Sequence, residues 1–164
     1  MERIASSKLL TLISVLIVSL VLSSIMECGS TIREPELNYS CRHGNINKVQ
    51  ELISSGVNVN IQDKNGWTAL MRAARYGYTD IVRLLIDNGA NVNFKDRNSW
   101  TALMHAAFNG HADVVRLLKD KGANTSATNN HGWTALVCAS KNGHMDVAQM
   151  LKNSSTNTTV NNQP

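Results

Sequence analysis

Cysteine is scarce in this sequence, and the spacings in which it usually works are absent. The three cysteines are Cys28, Cys41 and Cys138, and no Cys-x-x-Cys pair occurs, which excludes the usual zinc and redox motifs. The repeat described below separates Cys41 from Cys138 by three packing steps of about 8–10 Å each, whereas a disulfide needs Cα atoms within about 7 Å. We therefore predict no disulfide scaffold, and we expect both side chains to pack as small apolar groups in helices.

The residue groupings that would indicate catalysis, a cofactor or a metal are also absent. No carboxylate pair stands at a convincing spacing from a histidine or a nucleophile, and no glycine-rich phosphate loop occurs. No cluster offers three or four Cys, His or Asp ligands together. The formal net charge of +4 is mild, and its basic residues are not clustered as in nucleic-acid-binding domains. The sequence predicts a protein without enzymatic activity, without cofactor or bound metal, and without a nucleic-acid partner.

Charge is missing altogether from residues 9–26, an apolar run of 18 residues that follows Arg3 and Lys8. A basic start followed by an apolar run is typical of a secretory signal. We therefore predict that residues 1–30 direct export and that residues 31–35 form a linker.

Two alternatives to a cleaved signal stay open. The apolar run is just long enough to span a bilayer as an uncleaved anchor. Cys28, followed by Gly and Ser, resembles a bacterial lipoprotein processing site and is a candidate lipidation site, although Glu27 stands where a small residue is usual. In each case Arg3 and Lys8 stay in the cytoplasm, so the rest of the chain is expected to be exported, either periplasmic or secreted.

A repeated stretch organises the remainder of the chain. It reads Trp-Thr-Ala-Leu-Met-Arg-Ala-Ala from Trp67, and related stretches begin at Trp100 and Trp133, an offset of 33 residues each time. Four glycines keep the same register: Gly44, Gly77, Gly110 and Gly143. A fixed period in this range is typical of a solenoid, in which each unit packs on its neighbours.

Within one unit the sequence predicts a turn, a short helix, a loop and a second helix. Asp63 and Gly66 occupy the first and fourth positions of a type I turn, and Thr68 is placed to cap the helix that follows. Gly77 supplies the left-handed conformation that ends this helix. Leu85 belongs to the apolar stripe of the second helix, and we expect it to be buried. Because each helix has fewer than three turns, stacking must stabilise the array.

The region from Asp96 to Asn124 resembles an ankyrin repeat. The family pattern is Asp-x-x-Gly-x-Thr-x-Leu-x-x-Ala-Ala, then Gly-His-x-Asp-Val-Val-x-Leu-Leu, then Gly-Ala-x-Val-Asn, and this region meets it almost throughout. The resemblance implies an all-α solenoid of helix-turn-helix units with short β-turn or hairpin loops, and a role in binding proteins. It also implies a structural role for the loop histidines His111 and His144.

The sequence departs from the family pattern at two positions in each of the three stretches that begin at Trp67, Trp100 and Trp133. Alanine replaces the usual proline after the threonine, and methionine or valine replaces the usual histidine two residues further on. The Thr–His hydrogen bond typical of the family is therefore lost. Because alanine also starts a helix well, we expect the fold to survive.

We divide the repeat region into four units. They comprise residues 36–62, 63–95, 96–128 and 129–152. Lys48 and Glu51 in the first unit replace apolar residues of the second, as expected of a polar outer face. Residues 153–164 are mostly Asn, Ser and Thr with little that could pack, and we predict a disordered tail.

In ankyrin arrays the turn tips and the exposed edges of the first helices form one concave strip, on which equivalent positions stack in rows. The candidate partner-binding residues of this concave strip are Lys64, Asn65, Trp67, Arg75 and Tyr76, then Lys95, Arg97, Asn98, Trp100, Phe108 and Asn109, then Asn130, His131, Trp133, Lys141 and Asn142. The three tryptophans form one row, and tryptophan, tyrosine and arginine are frequent hot-spot residues. The alternative is that each tryptophan only packs over its own turn and the next.

The sequence as a whole predicts a monomeric, exported interaction module that binds a protein partner through the concave strip. Only the N-terminal segment is expected to touch a membrane. Two alternatives are a protective or inhibitory factor for an exported enzyme and a secreted effector acting on host proteins. The fold does not decide between them, because proteins of one fold serve many functions.

Overall fold

The computed structural model describes residues 36–153, which form a stack of short helices. The first helix, α1, occupies residues 36–42. It is followed by α2 (Ile46–Ser54), α3 (Ala69–Tyr76), α4 (Thr79–Asp87), α5 (Ala102–Phe108), α6 (Ala112–Asp120), α7 (Ala135–Lys141) and α8 (Met145–Lys152). No strand occurs within residues 36–153, and the predicted all-α class is confirmed.

Several predictions fall outside the described residues. They concern the export segment 1–30 with Cys28, the linker 31–35, and the polar tail after Asn153. Of the helices in residues 36–153, none combines the length and the apolar character that crossing a bilayer requires.

The first helices of the second, third and fourth pairs are each capped by a threonine, and α3 also ends where the sequence predicts. Thr68 has extended backbone angles, and its hydroxyl accepts a hydrogen bond from the backbone N–H of Met71, so the predicted cap is confirmed. Thr101 and Thr134 cap α5 and α7 in the same way. Gly77 lies at φ +77°, in the left-handed region, and ends α3 as predicted.

The loop histidines connect the third and fourth helix pairs to the pairs before them. The imidazole of His111 lies so close to Gly77 that a Cβ there would come within 2.6 Å of its Nδ1 atom. Its Nε2 atom lies 2.9 Å from the backbone oxygen of Arg75, and Nε2 of His144 lies 3.1 Å from that of Phe108. The structural role expected of both histidines is confirmed.

The helices form two layers. In the inner layer α5 packs between α3 and α7, and in the outer layer α4 contacts α2 and α6, while α6 contacts α8. Buried alanines such as Ala73 and Ala106 allow the inner helices to approach closely. Leu85 is fully buried in the core, as predicted, and so is Leu118 at the equivalent position of the next pair. The short helices therefore gain their stability from neighbouring pairs.

Polar side chains at the start of the stack bind one another. Nζ of Lys48 on α2 lies 3.2 Å from a carboxylate oxygen of Glu36 and 3.1 Å from one of Glu51. A lysine and a glutamate thus occupy positions that are apolar in α4, where Ile81 is buried.

Candidate protein-binding surface

One side chain at the start of each turn fixes the backbone of the tryptophan that follows it. Oδ1 of Asp63 accepts hydrogen bonds from the backbone N–H groups of Asn65 (2.8 Å) and Trp67 (3.0 Å). Asp96 and Asn129 hold the next two turns in the same way. The three tryptophans are therefore presented in equivalent positions along the strip.

The second polar atom of the same side chain has different surroundings in each turn. Nη2 of Arg72 donates to Oδ2 of Asp63 at 2.7 Å, and Nε2 of His105 lies 3.3 Å from Oδ2 of Asp96. Cys138 is the residue at the equivalent position of the last turn, and among the described residues the buried Nδ2 of Asn129 has no hydrogen-bond partner. The turn backbone thus repeats from pair to pair, while the chemistry of this second atom does not.

His105 is a buried neutral imidazole that donates to a buried carboxylate. Burial lowers the pKa of His105 below its usual range, although the adjacent Asp96 opposes this. Burial alone would raise the pKa of Asp96, but the bonds from His105 and from the backbone N–H groups of Trp100 and Asn98 outweigh it, and the pKa is lowered. The ionised Asp96 therefore accepts a hydrogen bond from the Nε2–H group of His105.

Acid is expected to destabilise the domain in two stages. His105 has a lowered pKa in the folded chain, so below its ordinary value of 6.5 the unfolded chain binds the proton more readily. The pKa of Asp63 is also lowered, because hydrogen bonds from Trp67 and Arg72 outweigh burial, and stability is lost again as pH falls below about 4. Melting temperatures recorded from pH 8 to pH 3 test both stages.

The variant His105→Gln separates the two stages, because an amide still donates to Asp96 but does not titrate. The loss between pH 7 and pH 5 should disappear in this variant, while the loss at lower pH remains. A wild-type melting temperature that rises between pH 7 and pH 5 would show that the sign assigned to His105 is wrong.

The three tryptophan rings are half-buried and pack against nearby side chains. The ring of Trp67 lies 4.2 Å from that of His105, and the Arg72 guanidinium lies 4.3 Å from the Trp67 ring centre. Trp100 lies 5.0 Å from His105 and 5.4 Å from Phe108. His105 is thus in contact with both tryptophans. The tryptophans therefore have the packing role that the sequence left open as an alternative, and part of each ring remains exposed.

A cavity of about 340 Å³ lies between the second and third helix pairs, on the concave strip. It is lined by Trp67, Arg75, Asp96, Asn98, Trp100, His105, Phe108 and Asn109. Six of these eight residues belong to the predicted strip. Another cavity, of about 240 Å³, is lined by Asn38, Tyr39, Arg42, Asp63 and Arg72.

The sequence did not identify Asp96 and His105 as part of the site. The sequence nevertheless contained a signal. Asp63 stands nine positions before an arginine, Arg72, and Asp96 stands nine positions before a histidine, His105. Comparing these positions between units would have indicated a side-chain pair beneath Trp67 and beneath Trp100.

The remaining predicted strip residues lie along the turn tips and helix ends, outside the larger cavity. The backbone N–H of Arg97 donates to the oxygen of Asn65, and that of Asn130 to the oxygen of Asn98, both at 3.1 Å, which links successive turns. Asn142 donates its side-chain amide to the Cys138 backbone oxygen at the end of α7. The side chains exposed around these contacts are those of Lys64, Tyr76, Lys95, His131 and Lys141, and the half-buried Trp133 packs against Lys141.

The described residues contain two cysteines, and both are poorly placed for chemistry. Cys41 and Cys138 are buried and free, as predicted. Burial raises the pKa of Cys41 to about 12 and that of Cys138 to about 11, so both thiols are protonated near neutral pH. Within residues 36–153 no group of three His, Cys, Asp or Glu side chains is arranged to hold a metal ion.

Comparison with known families agrees with this architecture. The family model described as ankyrin repeats (3 copies) matches residues 16–96, 37–129 and 89–162. No curated protein was found to match the chain. The family match covers most of the sequence, and within residues 36–153 the paired helices, the capping threonines and the linked turns agree with it. The chain belongs to the ankyrin-repeat family.

Proposed function

We propose that this protein is a non-enzymatic interaction module that binds a protein partner through its concave strip, and that all four helix pairs act as ankyrin repeats. The observation that carries the proposal is the cavity between α3 and α5. It combines aromatic walls with exposed polar groups at one place on the strip. Interfaces gain most of their binding energy from such aromatic and arginine side chains at desolvated pockets.

The side chains of Arg75 and Tyr76 are the sharpest test of this surface, because both are exposed at the end of α3. Changing both to Ala should weaken binding roughly tenfold or more, since each interface hot spot contributes about 2 kcal/mol and about 1.4 kcal/mol is a factor of ten. The partner is first captured from the native envelope or secreted fraction and identified by mass spectrometry. Its dissociation constant for each variant is then measured.

The outer helices provide a matched control, Arg83→Ala combined with Met145→Ala, which also removes one exposed arginine and one exposed large side chain. This control should bind as the wild type does. Equal affinity of the wild type and the Arg75 and Tyr76 variant would reject the concave strip. The outer helices or the tail would then be the next candidates.

We also propose that the module works outside the cytoplasm, because a basic start precedes the 18-residue uncharged run at residues 9–26. N-terminal sequencing of the fractionated native protein should find a shortened chain, or an intact one in the membrane fraction. A diacylglyceryl group on Cys28 would identify a lipoprotein. An intact Met1 on a soluble cytoplasmic protein would end the export proposal. An exported monomer could protect or inhibit an exported enzyme, or act as an effector on host proteins.

A further inference from the structure

The charge of the described residues is divided unevenly between the two layers. The outer helices and the loops that end them carry six acidic and six basic side chains, whereas the turns and inner helices carry three acidic and seven basic ones. The net charge of residues 36–153, which is +4, therefore lies on their concave side. Fields of this kind steer and orient partners of the opposite charge.

The three carboxylates on the concave side are already engaged within the domain. Asp63 pairs with Arg72, Asp96 with His105, and Glu36 with Lys48. By contrast, six basic side chains of this side have no carboxylate partner within residues 36–153: Arg42, Lys64, Arg75, Lys95, Arg97 and Lys141. Charge on this face is thus available to a partner that supplies carboxylates.

The larger cavity lies among these basic side chains, and its aromatic walls favour an apolar group of the partner. Trp67, Trp100 and Phe108 line it, and Arg75 lies at its edge with its guanidinium 5.5 Å from the Trp67 ring centre. The volume of the cavity is about 340 Å³. The smallest ligand pockets have volumes of about 300 Å³, so this cavity suits one large side chain of a polypeptide. An apolar side chain would gain contact with three aromatic rings there.

Two other classes of ligand fit these contacts less well. A cationic group would approach the aromatic rings next to the guanidinium groups of Arg72 and Arg75, which already lie over Trp67. Single-stranded nucleic acid needs open aromatic faces on which successive bases stack. Here the ring of Trp67 already packs against His105 and Arg72, and that of Trp100 packs against His105 and Phe108.

We infer that the cavity between α3 and α5 binds a large apolar side chain of a partner peptide segment whose flanking residues are acidic and contact Arg75 and its basic neighbours. The inference rests on the proposed function and specifies the partner surface that the concave strip accepts. The apolar side chain supplies the buried anchor. The flanking carboxylates supply orientation and a faster encounter, and their contribution weakens as salt is raised.

A phage-displayed library of random dodecamer peptides, selected against the immobilised full chain, tests this inference. Enriched peptides should contain at least one large apolar residue and a net negative charge. They should bind the Arg75→Glu variant at least tenfold more weakly than the wild type. Arg83→Glu, the same change on the outer helix α4, should leave their affinity unchanged. The Phe108→Ala variant, once its melting temperature shows that it is folded, should weaken binding as well.

Several outcomes would overturn the inference. These are enrichment of basic or uncharged peptides, no enrichment above an unrelated protein, and equal binding by the wild type and Arg75→Glu. Tight binding of a thymidine oligonucleotide that the Arg75 change abolishes would replace it with nucleic-acid binding. The proposed function is judged separately by the captured partner. A partner that needs Arg75 and Tyr76 but offers no acidic, apolar segment would reject only this inference.

Discussion

Leu118→Ala is expected to lower the free energy of unfolding by about 2–5 kcal/mol, the range measured for buried leucines that leave a cavity. Leu118 is fully buried on α6, between the pairs that precede and follow it. Because each pair of a solenoid packs only on its neighbours, the vacancy weakens the contact between neighbouring pairs. Urea unfolding followed by far-ultraviolet circular dichroism gives the value.

Met145→Ala is the matched control for this prediction, because it removes a large apolar side chain that is 67% exposed at the start of α8. Surface changes of this kind usually alter stability by no more than about 0.5 kcal/mol. Similar losses for the two variants would contradict the packing described for the outer layer.

Asp96→Ala is expected to cost about 2–4 kcal/mol, because leaving each buried hydrogen-bonding group unpaired costs about 1–3 kcal/mol. The carboxylate accepts bonds from the backbone N–H groups of Asn98 and Trp100, at 2.8 and 2.9 Å, and lies 3.3 Å from Nε2 of His105. Removing it frees the turn that positions Trp100 and leaves His105 without its acceptor. Urea unfolding measures the loss.

The chain itself supplies the control for Asp96. Asn129 occupies the equivalent position in the last turn, and its Oδ1 accepts the same two backbone bonds, at 2.9 and 3.0 Å. Asp96→Asn should therefore keep the turn and lose only the charged bond to His105, at a cost below that of Asp96→Ala. Equal losses for both variants would show that the bond to His105, rather than the turn, accounts for the stability.

The sequence was sufficient to predict the solenoid because its signals are local and repeated. The cap at Thr68, the left-handed Gly77 and the buried Leu85 each follow from a residue type at a fixed place in a period of 33 residues. Most of the residues around the larger cavity also follow, since the family pattern places turn tips and first helices on one strip.

The base of the cavity could not be predicted in the same way. The pair of Asp96 and His105 joins a turn to the helix after it, and His105 also contacts Trp67 of the preceding pair. Periodicity identifies what the units share. This contact, however, depends on a position that differs between units, where the residues are Arg72, His105 and Cys138 in turn. The cavity arises between units, and its shape depends on these differences.

The tryptophan row also gives the protein three optical reporters at successive places along its length. Trp67 has guanidinium groups and an imidazole beside its ring, Trp100 has an imidazole and a phenyl ring, and Trp133 has the Lys141 ammonium group at 4.7 Å. The indole emission of each should therefore differ in wavelength and quenching. Variants that retain a single tryptophan would show at which point along the stack unfolding begins, and in which direction it spreads from one helix pair to the next.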